Sequence, residues 1–178
     1  MNIKVVVVGD LETNCYILEK GNSTLIIDPG AEAEKIVANV DPQKKVCGIL
    51  VTHSHQDHIG AITEVFNKFN CPIYSINNLK QGMNHIENFD FEMIPFPGHL
   101  NDLVVYYFKE FKIMFDGDFV FKGGIGRTDM DGANSVDMKL SIQNLLHYPE
   151  DIILYPGHGP QTTIGAEKKN LIYFEKVL

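Results

Sequence analysis

The feature that most constrains this chain is a nine-residue segment at positions 52–60, which reads Thr-His-Ser-His-Gln-Asp-His-Ile-Gly. It places three imidazoles and one carboxylate within six positions: His53, His55, Asp57 and His58. These are ligand types of zinc and iron sites, and a hydrophobic core does not need them at this density. The apolar run 46–51 before them predicts a buried strand. The candidate ligands therefore follow the carboxyl end of a strand, where active sites of layered α/β folds gather.

The composition indicates one globular domain over residues 1–178, with 44% hydrophobic and 21% charged residues. The net charge of −8 argues against nucleic acid as a partner, because phosphate binding needs clustered basic residues. No apolar run approaches the roughly 20 residues that span a bilayer, so no membrane partner is expected. The apolar run at 5–8 is too short for a signal peptide, which predicts a cytoplasmic protein. The three scattered cysteines predict buried thiols without disulfides. The oligomeric state stays open.

Hydrophobic periodicity divides the chain into alternating groups of strands and helices. Strands are predicted at 3–8, 15–18, 24–28, 46–51, 72–76, 91–94, 103–108, 112–115 and 152–155. Helices are predicted at 31–40, 59–69, 137–146 and 167–177. Segment 77–89 has no clear pattern, and the glycine-rich segment 119–133 predicts a long loop. This order favours two packed sheets with helices outside them.

Three later residues are candidates to complete a metal site. Each is a ligand type in a turn after a predicted strand: His99, Asp118 and His158. In extended backbone, positions two apart point the same way, so His53 and His55 can share one metal. Asp57 and His58 follow where the chain turns into a helix and can face a second metal. If the strands lie side by side, all seven residues meet at one edge of the sheets.

The motifs of these segments together resemble the metallo-β-lactamase-fold hydrolase superfamily. They are Thr-His-Ser-His-Gln-Asp-His at 52–58, Pro-Gly-His at 97–99, Gly-Asp at 117–118 and Pro-Gly-His at 156–158. Two further segments, Gly-Ile-Gly-Arg-Thr-Asp at 124–129 and Pro-Gly-His-Gly-Pro-Gln-Thr-Thr-Ile-Gly at 156–165, resemble its single-domain glyoxalase II-like branch. The resemblance implies a fold of the mixed α/β (α+β) class. The implied fold is a four-layer αββα sandwich with metals at one edge.

The resemblance also implies a binuclear site and a role for each residue in it. Metal 1 is expected at His53, His55 and His99, and metal 2 at Asp57, His58 and His158. Asp118 would bridge the two metals, and Asp28 would hold a ligand imidazole by its other N–H, although Asp28 is also a candidate helix cap. Arg127 would contact the substrate, although it is equally interpretable as a solvated loop residue.

The implied activity is hydrolysis of a small-molecule thioester or related ester by a metal-bridging hydroxide. Two zinc ions are the expected cofactors, with iron or manganese as alternatives. Asp57 and Asp118 are the predicted catalytic carboxylates, and Asp57 can also take or give a proton. A second hypothesis is a mononuclear non-haem iron persulfide dioxygenase, with iron on His53, His99 and Asp118. A third is a lactonase, which needs only a different pocket.

Overall fold

Two β-sheets packed face to face form the centre of the chain, and the computed structural model describes residues 1–178. The first sheet contains five strands hydrogen-bonded in chain order: β1 (Asn2–Val8), β2 (Thr13–Lys20), β3 (Ser23–Ile27), β4 (Lys45–Leu50) and β5 (Ile73–Tyr74). Eight further strands follow: β6 (Gly82–Ile86), β7 (Phe89–Pro95), β8 (Val104–Phe108), β9 (Ile113–Gly117), β10 (Val120–Phe121), β11 (Gly124–Ile125), β12 (Ile153–Pro156) and β13 (Thr162–Thr163). Six of them form the second sheet in the order β13-β12-β9-β8-β7-β6, and β10 and β11 form a separate hairpin.

Helices cover the outer faces of both sheets. They are α1 (Ala33–Asn39), α2 (Gln56–Ile59), α3 (Ile62–Phe69), α4 (Ser135–Leu145) and α5 (Ile164–Val177), with a short 3-10 turn at Lys109–Phe111. No helix in the chain combines the length and the apolar character that a bilayer crossing requires.

Three apolar layers hold the elements together, because successive side chains of a strand point to opposite faces. Leu18 of β2 lies in the layer between the two sheets, whereas its neighbour Ile17 lies in the layer under α1 and α3. A third layer joins the second sheet to α4 and α5 and includes Met138 and Leu171. The predicted four-layer αββα sandwich is therefore confirmed.

The strand directions bring the candidate ligands to one edge. β3 runs parallel to β4, and β12 runs parallel to β9. β7 and β9 are each antiparallel to β8, so they also run in a common direction. Five of the seven candidate metal ligands lie in the turns that follow β4, β7, β9 and β12, and the other two, Asp57 and His58, lie in α2 directly after the first of these turns. Asp28 follows β3.

The structure differs from the predicted elements in four places. The unassigned segment 77–89 contains β6, an edge strand in which Ile86 is the only buried residue, so an apolar pattern is missing. The predicted loop 119–133 contains the β10–β11 hairpin. The predicted helix 59–69 corresponds to α3, which begins only at Ile62, and a separate short helix, α2, ends at Ile59. The last helix begins at Ile164 rather than at 167, directly after β13, which was also not predicted.

Candidate metal centre

One group of side chains at the sheet edge combines three imidazoles and a carboxylate: His53, His55, His99 and Asp118. His55 Nδ1 lies 3.2 Å from His53 Nε2 and 2.9 Å from His99 Nε2. With zinc–nitrogen bonds of 2.0–2.1 Å, the edge of a coordination tetrahedron is about 3.4 Å. Three imidazole nitrogens therefore converge at close to the spacing that one tetrahedral ion requires.

A second group lies directly beside the first and consists of Asp57, His58 and His158. Asp57 Oδ2 lies 3.2 Å from His158 Nε2 and 3.5 Å from His58 Nε2. The same carboxylate oxygen accepts a hydrogen bond of 2.9 Å from the hydroxyl of Thr13 in β2. Thr13 was not predicted to belong to the site, and it fixes the orientation of the Asp57 carboxylate.

Asp118 contacts both groups. Its Oδ1 lies 3.2 Å from His58 Nε2, and its Oδ2 lies 3.5 Å from both His99 Nε2 and His158 Nε2. The His58–Asp118 contact lacks hydrogen-bond geometry, so His58 Nε2 and Asp118 Oδ1 are both buried without a hydrogen-bond partner. Such orphaned atoms are costly unless something else binds them. A shared cation fits these atoms and this donor set.

The Nδ1 atoms of His58 and His53 both point away from the site toward acceptors. His58 Nδ1 lies 2.9 Å from the buried Asp28 carboxylate. The Thr52 hydroxyl donates to Asp28 at 2.6 Å, which leaves its oxygen free to accept from His53 Nδ1 at 3.1 Å. Both Nε2 atoms are thereby aimed at the site, an arrangement typical of metal-bound histidines. Helix α1 has Glu32 as its N-cap residue and no side-chain cap, so the alternative role of Asp28 as a helix cap is wrong.

Two backbone carbonyls orient the imidazole rings of the histidines in the later turns. His99 Nδ1 lies 3.0 Å from the carbonyl oxygen of Arg127, and His158 Nδ1 lies 2.9 Å from that of Leu11. Both carbonyls belong to loops that reach over the sheet edge. The remaining histidines of the chain, His85 and His147, are exposed and lie outside the cluster.

Two imidazoles of the first group, His53 and His99, are neutral. Burial, reinforced by the neighbouring His58, lowers the pKa of His53 to about 2. Burial also lowers the pKa of His99. Because a metal binds the neutral imidazole, these two rings need to lose no proton to become ligands.

The imidazoles of the second group hold protons between the carboxylates. Burial opposes the charged form of His58, but attraction by Asp118 and Asp28 outweighs it and raises its pKa to about 10. Asp118 and Asp57 likewise raise the pKa of His158 to about 10. Although burial favours the neutral acids, the imidazoles hold the pKa values of Asp57 and Asp118 well below their usual range. A divalent cation would replace these protons.

A cleft of about 470 Å³ opens above the cluster. Five of its lining residues were not predicted to belong to the site: Leu11, Gln56, Phe121, Ile125 and Met130. Gln56 begins α2, and the other four lie on loops or on the unpredicted hairpin. Arg127 also lines the cleft, as expected of a substrate-contacting residue, but its guanidinium is engaged. Its Nε and Nη2 donate to the Asp129 carboxylate at 2.9 and 3.0 Å.

Comparison with protein families agrees with this architecture. Residues 8–86, which include Asp28 and the 53–58 cluster, match the model of the metallo-beta-lactamase superfamily. The probable metallo-hydrolase YqgX of Bacillus subtilis is 34% identical, over 90% of this chain and 92% of that protein. The hydroxyacylglutathione hydrolase GloC of Haemophilus influenzae is 31% identical, over 96% of each chain. The chain therefore belongs to the metallo-β-lactamase superfamily, and it is a metallo-β-lactamase-fold hydrolase.

Solved structures give the same result. The BLEG-1 B3 metallo-beta-lactamase superposes with a TM-score of 0.90 at 30% identity, over 97% of this chain and 99% of that one. The di-iron-bound form of TTHA1623 superposes with a TM-score of 0.85 at 30% identity, over 93% and 97% of the two chains. The resemblance seen in the sequence is thus confirmed at the level of family and fold.

Proposed function

We propose that residues 1–178 act as one domain that binds two divalent metal ions and hydrolyses a small thioester or a related ester. The observation that carries this proposal is the pair of adjacent ligand groups that share the Asp118 carboxylate. His53, His55 and His99 would hold one ion, and Asp57, His58 and His158 the other. The name of GloC and the di-iron state of TTHA1623 support the substrate class and the two-metal stoichiometry. Zinc is the proposed metal, with iron and manganese as alternatives.

When bound, two such ions supply a water molecule of lowered pKa and polarise a carbonyl oxygen. The chain itself positions the groups around that chemistry. Asp118 holds a negative charge between the two imidazole groups, and Asp28 and Thr52 fix the His58 and His53 rings. Asp57, oriented by Thr13, can accept or return a proton at Oδ2. A thiolate leaving group, with a pKa near 8.5, needs little protonation, which suits a site without a dedicated general acid.

A metal titration combined with activity assays tests the proposal. Metal-free protein is expected to bind about two Zn²⁺, Fe²⁺ or Mn²⁺ per chain and then to hydrolyse a small thioester. The complete second ligand group favours this outcome over the dioxygenase. Binding of one iron with oxygen consumption on a persulfide would instead establish the dioxygenase, and selective opening of lactones would establish the lactonase.

Proton release gives an independent prediction. At pH 7.5, binding of two Zn²⁺ is expected to release about two protons from the protein, in addition to any proton lost by a metal-bound water, because the pKa values of His58 and His158 lie near 10 in the metal-free state. The release declines as the pH rises through about 10, where each ring has on average lost half a proton before the metal binds. The raised pKa values stabilise the metal-free fold below about pH 6.5, and this contribution is lost as the pH rises through about 10.

Calorimetric titrations in buffers of different ionisation enthalpy count these protons. The His158→Gln variant is the matched control and should release about one proton fewer. A proton count near zero for the unmodified chain would contradict the assignment of His58 and His158 as ligands.

A further inference from the structure

The cleft above the cluster has an apolar wall. Phe121 and Ile125 project from the β10–β11 hairpin, Met130 follows on the same loop, and Leu11 lies on the turn between β1 and β2. The Phe121 ring packs near His158, with ring centroids 6.1 Å apart. A substrate whose reacting carbonyl lies at the cluster therefore has its neighbouring atoms against apolar side chains. Each methylene group buried there is expected to favour binding about fourfold.

The polar rim of the cleft contains few groups that could bind an anionic substrate. Arg127 is the only cationic side chain among the lining residues other than histidine, and the Asp129 carboxylate already occupies one edge of its guanidinium, the Nε–Nη2 fork. A substrate carboxylate must either compete with Asp129 for this fork or bind the Nη1–Nη2 edge of a guanidinium whose charge Asp129 already balances. The Arg127 and Asp129 side chains are 68% and 70% exposed. Their ion pair is therefore weak, and its expected effect on substrate selectivity is about a few-fold.

The neighbouring surface adds negative charge. A depression of about 960 Å³ adjoins the cleft and shares Leu11, Gln56 and Asp57 with it. Four further carboxylates line this depression, Asp10, Glu32, Glu34 and Glu64, and its lysine, Lys35, is paired with Glu32. The whole chain carries a net charge of −8. The negative potential of this surface repels anionic substrates, and salt screens this repulsion.

We propose that the cleft selects uncharged thioesters with an apolar acyl chain, and that Asp129 restricts the use of substrates that bear a carboxylate. This inference rests on the proposed hydrolase function and narrows its substrate class. In the reaction, the water oxygen bonds to the carbonyl carbon and the carbon–sulfur bond breaks, leaving its electron pair on sulfur. One water proton goes to the thiolate, so that the products are a carboxylic acid and a thiol.

Four thioesters test the selectivity of the zinc-loaded chain: acetyl and hexanoyl groups, each on N-acetylcysteamine, which is uncharged, and on glutathione, which carries two carboxylates. We expect kcat/KM for hexanoyl-N-acetylcysteamine to exceed that of the acetyl compound at least about tenfold. We expect it to exceed that of hexanoylglutathione at least about threefold. Equal values for the two acyl groups, or a preference for glutathione thioesters, overturn the inference. Absence of hydrolysis for all four compounds rejects the proposed function itself.

Two variants locate the effect. Phe121→Ala should lower the hexanoyl-to-acetyl ratio of kcat/KM about fivefold, because it removes part of the apolar wall. Asp129→Asn should raise the glutathione-to-N-acetylcysteamine ratio about threefold, because it frees the Arg127 fork. Asp151→Asn is the matched control, since it breaks the exposed ion pair with Lys112 near the amino end of β9, away from the cleft, and should leave both ratios unchanged. An unchanged hexanoyl-to-acetyl ratio in Phe121→Ala would reject the proposed contact of the acyl chain with the apolar wall. An unchanged glutathione-to-N-acetylcysteamine ratio in Asp129→Asn would reject the proposed role of Asp129.

Discussion

Replacing Asp118 with alanine is expected to reduce metal binding from two ions per chain to fewer than one and to lower kcat/KM for a small thioester at least about 1000-fold. The carboxylate lies against both sets of ligands, with oxygens 3.2 Å from His58 Nε2 and 3.5 Å from His99 Nε2. Its removal deprives both proposed metals of a ligand and leaves the cationic His58 with less compensation. Metal analysis after gel filtration, together with steady-state kinetics, measures both effects.

Retention of the fold makes this result interpretable. Asp118 lies outside all three apolar layers, so circular dichroism of the variant should match that of the parent chain. Asp118→Asn keeps the side-chain volume while removing the charge, and the same loss is expected. Asp90→Ala is the matched control, because it breaks an exposed carboxylate–imidazole pair with His85. Two bound metals and full activity in Asp118→Ala would reject the bridging role.

The convergence of the candidate ligands was predictable because strand ends are encoded locally. Each of His99, Asp118 and His158 follows an apolar run and a turn, and strands that run in one direction end at one edge. The pattern thus predicted which residues meet, without the distances between them. The assignment of Asp28 came from family resemblance, and its contacts with Thr52 and His58 arise because parallel β3 and β4 end side by side.

The substrate cleft was not predictable in the same way. Phe121 and Ile125 lie in a stretch rich in glycine, where four residues in two short strands leave no periodic signal. Thr13 and Leu11 reach the cluster through contacts with Asp57 and His158, which are more than 40 residues distant in the chain. The engagement of Arg127 by Asp129 depends on the conformation of the loop that carries both. These features follow from tertiary packing, which the order of residues alone does not specify.

Gly157→Ala is expected to weaken binding of the second metal at least about 100-fold, a larger effect than most changes behind a metal ligand produce. A Cβ atom at this position would lie 2.5 Å from His58 Cε1 and closer still to Asp118 Oδ1. The backbone has little freedom to retreat, because Gly157 donates to the Gly117 carbonyl and accepts from the Asn14 amide, both at 2.7 Å. The two ligands must therefore move instead, at a cost to the metal-free fold of about 1–3 kcal/mol.

Gly124→Ala provides the matched control, because a Cβ atom there would meet no heavy atom within 4 Å. Both variants add one methyl group to a glycine of the same half of the chain, so they differ mainly in what the methyl group meets. Calorimetric zinc titrations should give two binding events for Gly124→Ala and one strong event for Gly157→Ala. Two strong events in Gly157→Ala would show that the space between His58 and Asp118 is not where the second ion binds. The metal-1 histidines are not among the atoms nearest this methyl group, and the Asp118 oxygen that it meets is Oδ1, whereas Oδ2 faces His99. Retention of one strong event therefore also separates the two proposed sites experimentally.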